Sequence, residues 1–356
     1  MIHVGILGCG AIAQRRHAPE YKANPNVEIL GYFDPVEERC QYMVDTFGGK
    51  AYASYQQMLE DPKIDAVSIC GANKIHASAT IQALWAGKHV LCEKPMANNL
   101  QECQEMINVA RQTGKTLMIG HNQRFFPAHL KAKEILASGE LGEVISFHST
   151  FSHGGPEFWS IDKSGSPWFF KKDGKALGGV LADLGVHKID IIRWLVGSEV
   201  EYVQAFAGAL NKCNSDGSRI EVDDNAMCIL NFENGAAGTV TASWTNYGDE
   251  EKDSVVYCTK GKLIIDGKGC DRLTLQYREG GTDVMTFEEG SSNDHQVSSG
   301  VIDEFVESIM QGRKPLVSGE DGLMAIHVVT ACLESARTGQ RVHLQKDALT
   351  AAYAYV

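Results

Sequence analysis

The chain has 356 residues, too many for one ordinary core and enough for two. Its formal charge of −12 at pH 7, with no basic run longer than a pair such as Arg15-Arg16, excludes a nucleic-acid footprint or a docking patch for anionic membrane and leaves a small-molecule partner. No stretch reaches the ~18 apolar residues of a membrane span, and residues 2–8 (IHVGILG) are too short for a signal-peptide core and have no basic leader, so a cytoplasmic protein is expected.

In chain order, the first third alternates short apolar runs with amphipathic stretches. Residues 2–7 (IHVGIL), 27–33, 64–70, 88–92 and 116–119 read as strands, with a weaker one at 50–53. Apolar residues three and four apart make helices of 35–47, 75–86 and 99–113. Each connection is long enough for a crossover helix, so the expected sheet is parallel and doubly wound, in a domain spanning 1–122.

Beyond residue 122 the pattern becomes alternating strands: 143–151, 200–210, 225–232, 236–244, 254–258, 262–266, 273–279 and 283–287. Glu233-Asn234-Gly235 and Gly280-Gly281 supply hairpin turns, so this sheet is expected to be mostly antiparallel. Helices are expected at 182–196, 298–311 and 320–338, and surface loops at 222–224 and 291–294. The second domain, for substrate and oligomer contacts, spans 123–356, with its last helices free to pack back on the first domain, and its apolar tail 348–356 has no assigned role. Strand 225–232 is apolar on both faces, with Ala226, Cys228, Leu230 and Phe232 on one and Met227 and Ile229 on the other, as expected where a second subunit covers the sheet.

Gly8-Cys9-Gly10-Ala11-Ile12-Ala13 follows the first strand and opens a helix. The first glycine permits a tight turn, the second lets backbone approach a pyrophosphate, and the alanine lets helix and strand pack closely. The helix N-terminus then offers free N–H groups to the phosphates. Asp34 ends the second strand, where it either accepts hydrogen bonds from the adenosine ribose, caps the next helix, or does both. This is a dinucleotide fingerprint in its proper context, and NAD is the expected cofactor, since a 2′-phosphate would meet the Asp34 carboxylate, although Arg39 lies one turn on.

Ligands of open α/β sheets bind outside the carboxyl ends of the strands. Two further strand ends, Cys70-Gly71-Ala72-Asn73-Lys74-Ile75-His76 and Cys92-Glu93-Lys94-Pro95-Met96, therefore face the same place. Asn73 and His76 are candidate cofactor contacts, His76 being equally readable as a first-turn helix residue. Glu93 either caps the following helix or binds the nicotinamide ribose.

Glu93-Lys94-Pro95 after such a strand resembles the signature of the glucose-fructose oxidoreductase, inositol dehydrogenase and MocA (Gfo/Idh/MocA) family. Residues 178–190 (GGVLADLGVHKID) resemble its second motif, and the likeness extends to 318–322 and 334–339. The resemblance implies a Rossmann domain followed by an α/β domain with a large open sheet, often used for dimer or tetramer contacts. It implies that Lys94, Asp183 and His187 meet above the nicotinamide, that the Lys94-Pro95 bond is cis, and that Trp168 closes over cofactor and substrate. Val180 departs from the small residue frequent at its position, which alters packing more than chemistry.

Asp183 and His187 lie four apart at the start of a helix, on one face. An isolated pair of this kind is usually a cap and a core histidine. Beside the fingerprint it becomes a base for an alcohol proton with a carboxylate to hold its tautomer, and Lys94 is placed to orient the hydroxyl. Arg124 is either a substrate contact or an interdomain ion pair, and His153 and Trp159, in a glycine-rich loop, are softer substrate candidates. No cluster has metal-ligand spacing, and the ten cysteines, without a Cys-x-x-Cys pair, read as reduced, buried thiols. The expected activity is hydride transfer between NAD and a secondary alcohol of a sugar, glycoside or cyclitol. The alternatives are an NAD-dependent glycoside hydrolase or epimerase-like enzyme that recycles its cofactor, and a dinucleotide-bound sensor without turnover.

Overall fold

A computed structural model describes residues 1–161, 168–172, 177–267, 269–287 and 299–344. The chain forms two compact units, the first comprising residues 1–122 and the described part of 291–323, the second the described parts of 123–290 and 324–351.

The first unit holds β1 (Ile2–Leu7), β2 (Val27–Phe33), β3 (Lys50–Ala51), β4 (Ala66–Ile69), β5 (His89–Cys92) and β6 (Leu117–Ile119) in one sheet of order β3-β2-β1-β4-β5-β6. All of its pairings are parallel. β4 is buried along its whole length, as expected where helices cover both faces of a parallel sheet, and its one polar side chain, Ser68, is hydrogen-bonded to Tyr21. The connecting helices are α1 (Ala18–Ala23), α2 (Glu37–Phe47), α3 (Tyr55–Glu60), α4 (His76–Trp85) and α5 (Leu100–Thr113). A π-helical turn, Ala13–His17, precedes α1. The chain later returns to this unit, where Met118 bridges Ser318 beside β6 and Glu20 accepts a hydrogen bond from Ser299 Oγ at 2.9 Å.

The second unit opens with α6 (Pro127–Ser138), β7 (Val144–Ser152) and the short α7 (Pro156–Trp159). A second π-helical turn, Leu181–Gly185, runs into α8 (Val186–Val196). There follow β8 (Val200–Gly208), β9 (Asn225–Phe232), β10 (Ala237–Ser243), β11 (Ser254–Cys258), β12 (Gly261–Asp266), β13 (Arg272–Tyr277) and β14 (Thr282–Thr286). α9 (Val301–Gln311) belongs to the first unit, α10 (Gly319–Thr338) contributes to both, and β15 (Val342–His343) pairs with β8. The sheet order is β14-β13-β12-β11-β7-β10-β9-β8-β15, with only β7 and β10 parallel among the described pairs. The turns are as expected: Gly235 has φ +87° between β9 and β10, and Gly280 and Gly281 have φ near +100° between β13 and β14.

The alternation of β9 divides its side chains as the sequence indicates. Ala226, Cys228, Leu230 and Phe232 are buried, whereas Met227 and Ile229 are about half exposed, beside Phe206 on β8. Helices α3 and α6, the short α7 within the segment read as a glycine-rich loop, and the two-residue β15 are additions to the expected elements, because short or weakly amphipathic segments give little periodic signal.

Residues 222–224 correct the sequence reading. They are no surface loop, because Asp223 and Asp224 are buried. Asp223 Oδ2 accepts the Leu181 N–H at 2.8 Å, capping the turn that enters α8, and its backbone carbonyl accepts the Val180 N–H, also at 2.8 Å. Asp224 accepts the N–H groups of Leu210, Asn211 and Lys212. The sequence shows only two acids beside a strand, which suits a solvated turn equally well. The expected loop at 291–294 and the tail 348–356 lie outside the described residues.

Burial pushes the Asp223 carboxyl up to about 6, against the pull of its N–H donors. In the folded chain it therefore takes up its proton before the unfolded chain does, so its contribution to stability grows as pH falls from about 6 towards the ordinary range near 4. Asp223→Ala, which leaves the Leu181 N–H without an acceptor, should cost about 1 kcal/mol, the usual worth of a cap. Asp223→Asn should cost less, and the gap between wild type and Asp223→Asn should change between pH 6 and 4 in urea titrations. A gap that is flat with pH would show that this carboxyl does not titrate there.

Candidate active site

In the first unit the turn after β1 has no room for side chains. Gly8 has φ +87°, and a Cβ there would lie 2.6 Å from the Gly71 nitrogen, so the ends of β1 and β4 approach at a distance only glycine permits. Gly10 differs, because a Cβ there would meet nothing within 4 Å. Its backbone, with the half-buried Ala11 and Ile12, faces open space at the start of a helix, and this cradle fits a pyrophosphate. Asp34 Oδ2 accepts the Cys9 N–H at 2.8 Å and Oδ1 the Val36 N–H at 2.9 Å, while Arg39 Nη1 stands 3.9 Å from Oδ1. Asp34 thus caps the turn before α2 and pins the glycine turn as well. Two N–H donors leave a carboxylate further lone pairs for ribose hydroxyls.

Asn73 begins the short turn Asn73–Ile75 that leads into α4. His76 lies beyond it, with Nδ1 2.7 Å from the Pro95 carbonyl and Nε2 3.1 Å from the Gly71 carbonyl, and the neutral ring donates its single N–H to one of these two acceptors. It thus lies between the end of β4 and the end of β5, and burial lowers its proton affinity. Glu93 also turns inward. Burial alone would raise its carboxyl, but Arg16 and His17 hold it below the usual range, with His17 Nε2 2.8 Å from Oε1 and the Arg16 guanidinium on the same oxygen. Ser68 and Tyr21 complete this buried network behind the strand ends. It anchors the turn that carries Lys94, which is half-buried, and the Lys94–Pro95 bond is cis.

In the second unit, Asp183 lies in the π-helical turn and His187 in the first turn of α8. Both are buried. The wider turn keeps residues four apart on nearly one side of the helix. The His187 ring packs 5.7 Å from that of Phe151 at the end of β7, and His153 packs on the same phenylalanine at 6.0 Å. Asp183 Oδ2 accepts the indole N–H of Trp244 at 3.2 Å. The structure thus gathers Asp183, His187 and His153 into one neighbourhood and adds Phe151 and Trp244. Neither aromatic carries a sequence signal of its own, since each reads as an ordinary residue at a strand end.

Arg124 corrects the sequence reading. Its Nε and Nη2 meet Asp190 of α8 at 2.8 and 2.7 Å, both partners buried in the same unit, so the ion pair it makes is within that unit and buttresses the helix. Buried lysines were not foreseen. Lys188, next to His187, donates to the Lys252 carbonyl at 2.5 Å, and burial lowers its ammonium to about 8. Trp168 begins a short turn, Trp168–Phe170, and the side chains of Trp159 and Trp168 lie outside the description. Among the described residues no group of three histidine, cysteine or acidic residues is arranged to hold a metal. No described helix is long and apolar enough to cross a membrane.

The two glycines should separate folding from cofactor binding. Gly8→Ala should lower the melting temperature, because neither the backbone angle nor the neighbouring strand end accommodates it. Gly10→Ala should leave the melting temperature unchanged and weaken NAD binding at least tenfold, a loss of about 1.4 kcal/mol, measured by fluorescence titration. Unweakened NAD binding in Gly10→Ala would remove the pyrophosphate from this turn.

Comparison with known proteins agrees with this geometry. Residues 2–121 match the family described as an oxidoreductase family with an NAD-binding Rossmann fold, and residues 129–264 match the Gfo/Idh/MocA C-terminal domain. Myo-inositol 2-dehydrogenase of Thermotoga maritima is 27% identical over 348 residues, covering 97% of this chain and 99% of that one. D-glucoside 3-dehydrogenase of Escherichia coli is 27% identical over 357 residues, covering 96% and 97%. The solved structure of levoglucosan dehydrogenase with NADH and L-sorbose superposes with a TM-score of 0.86 at 25% identity, covering 97% of this chain and 99% of the other. The chain belongs to the Gfo/Idh/MocA family of NAD-binding oxidoreductases.

Proposed function

We propose that this oxidoreductase transfers hydride between NAD and a ring secondary alcohol of a sugar, glycoside or cyclitol. The observation that carries the reading is the end-to-end similarity to enzymes named for a cyclitol, a glucoside and an anhydrosugar, with little of any of the four chains left unmatched. Bound NAD supplies the hydride acceptor. Gly8, Gly10, Ala11 and Ile12 form its phosphate turn, and Asp34 meets the adenosine ribose. His187 takes the hydroxyl proton, Asp183 holds the imidazole and balances its charge, and Lys94 orients the hydroxyl oxygen. His153, on the same phenylalanine as His187, contacts further substrate hydroxyls.

The same reading makes the protein a cytoplasmic homo-oligomer, consistent with ten free cysteines. A second copy covers the sheet face that bears Phe206, Met227, Ile229 and Tyr257. Phe206 on β8 and Met227 and Ile229 on the adjoining β9 form an exposed apolar cluster of the kind that marks a contact surface, with Tyr257 farther along the sheet on β11. Sedimentation at micromolar concentration should show a dimer or tetramer, and a monomer would refute this part of the reading.

A panel of inositols, methyl glucosides and levoglucosan with NAD should yield reduced nicotinamide for at least one member, followed by absorbance. His187→Ala should bind NAD normally and turn over roughly 10²–10⁴-fold more slowly, the usual worth of a general base. Tight NAD binding with no member oxidised would overturn the dehydrogenase reading in favour of a recycled cofactor. Normal turnover by His187→Ala would move the base elsewhere.

A further inference from the structure

Asp183 and Trp244 are suspended from adjacent residues. Asp223 holds the Leu181 N–H through its carboxylate, at the start of the turn that carries Asp183. Asp224 holds the Trp244 N–H through its backbone carbonyl at 2.9 Å, just past the end of β10. Two consecutive positions of one chain segment therefore fix where the Asp183 carboxylate and the indole stand relative to each other. Between them Nε1 is 3.2 Å from Oδ2. The indole is fully buried and wedged by the rings of Phe169, at 6.5 Å, and Phe170, at 6.1 Å, so it has little freedom to turn away.

An indole N–H donates and never accepts. A donor of that kind holds a carboxylate oxygen as an acceptor and aims it, whereas a hydroxyl or amide in the same place could exchange roles with it. A buried tryptophan ordinarily finds some partner for its N–H. Here that partner is the carboxylate four residues before His187, in the π-helical turn Leu181–Gly185. We propose that Trp244 is a positioning residue that fixes the Asp183 carboxylate for its work on His187. The proposal rests on the reading of Asp183 and His187 given above.

Two measurements on the full-length protein test it. With ¹⁵N-labelled tryptophan, and the Trp244 indole signal identified by its loss in Trp244→Phe, Asp183→Ala should shift that signal upfield without cofactor or substrate present. A signal that does not move overturns the contact. For function, replacing Trp244 with benzothienylalanine keeps the shape and removes the N–H. With the best panel substrate, turnover should fall about 10-fold, as for the loss of one charged hydrogen bond, with NAD affinity unchanged. In an Asp183→Asn background the same replacement should cause no further loss, because residues acting as one unit do not add. Equal losses in both backgrounds would make Trp244 merely structural and overturn the proposal. If Asp183→Asn alone retains full turnover, the reading of Asp183 fails, while the indole signal still decides whether the contact exists.

Discussion

The first unit depends on a place where the chain admits no side chain. Its parallel sheet reverses strand order between β1 and β4, and there Gly8 and Gly71 approach within a distance that a single Cβ would violate. Because these strand ends meet, the helix that follows Gly8 starts close to the sheet, and Gly10 is left with open space beside it. The turn is held from two directions. Asp34 accepts the Cys9 N–H from the end of β2, and His76 spans from Gly71 to Pro95, so the positions of β2, β4 and β5 all register on one loop.

The second unit solves a different problem, the seating of one helix on an open sheet. Apolar residues of β7, β9 and β10 supply the floor. Polar groups then fix the helix along its length: Asp223 at its entry, Lys188 on the Lys252 carbonyl, and Arg124 on Asp190. A buried ion pair contributes little net stability against an apolar replacement, but breaking it is costly, so such contacts are better at fixing register than at adding strength. Turns of π-helix occur at functional sites in many proteins. Among the described residues the two such turns lie at motifs that the sequence marks as functional, one after the glycine turn and one at Asp183.

What the sequence discloses follows from how local each signal is. β2 and β9 occupy the residues expected of them, because alternation or an unbroken apolar run is written in consecutive positions. Gly8, Asp34 and the Glu93-Lys94-Pro95 turn are legible because their spacing reflects backbone geometry. The inward turn of Glu93 is not, since its partners Arg16 and His17 lie more than seventy positions away. Arg124 was open to two readings for the same reason, and Asp223 looked solvated because a buried acid whose only visible compensation is backbone N–H leaves no trace in residue type. Trp244 shows the limit most clearly: its importance lies in one hydrogen bond across 61 positions.

The cysteines carry a consequence for how the molecule opens. Nine of the ten thiols are buried and only Cys213 is exposed. Burial also raises most of the nine, Cys92 to about 12 and Cys258 to about 11, which keeps those thiols protonated near neutral pH, and none of the nine is accessible while the chain is closed. Cys9, Cys40, Cys70, Cys92 and Cys103 belong to the first unit, and Cys228, Cys258, Cys270 and Cys332 to the second. Alkylation therefore labels one sulfur in the native state, and each further label records an excursion of a known part of the fold. The thiols act as two sets of built-in clocks: the order in which they react tells whether the nucleotide-binding half or the sheet half breathes first, and whether either can open without the other.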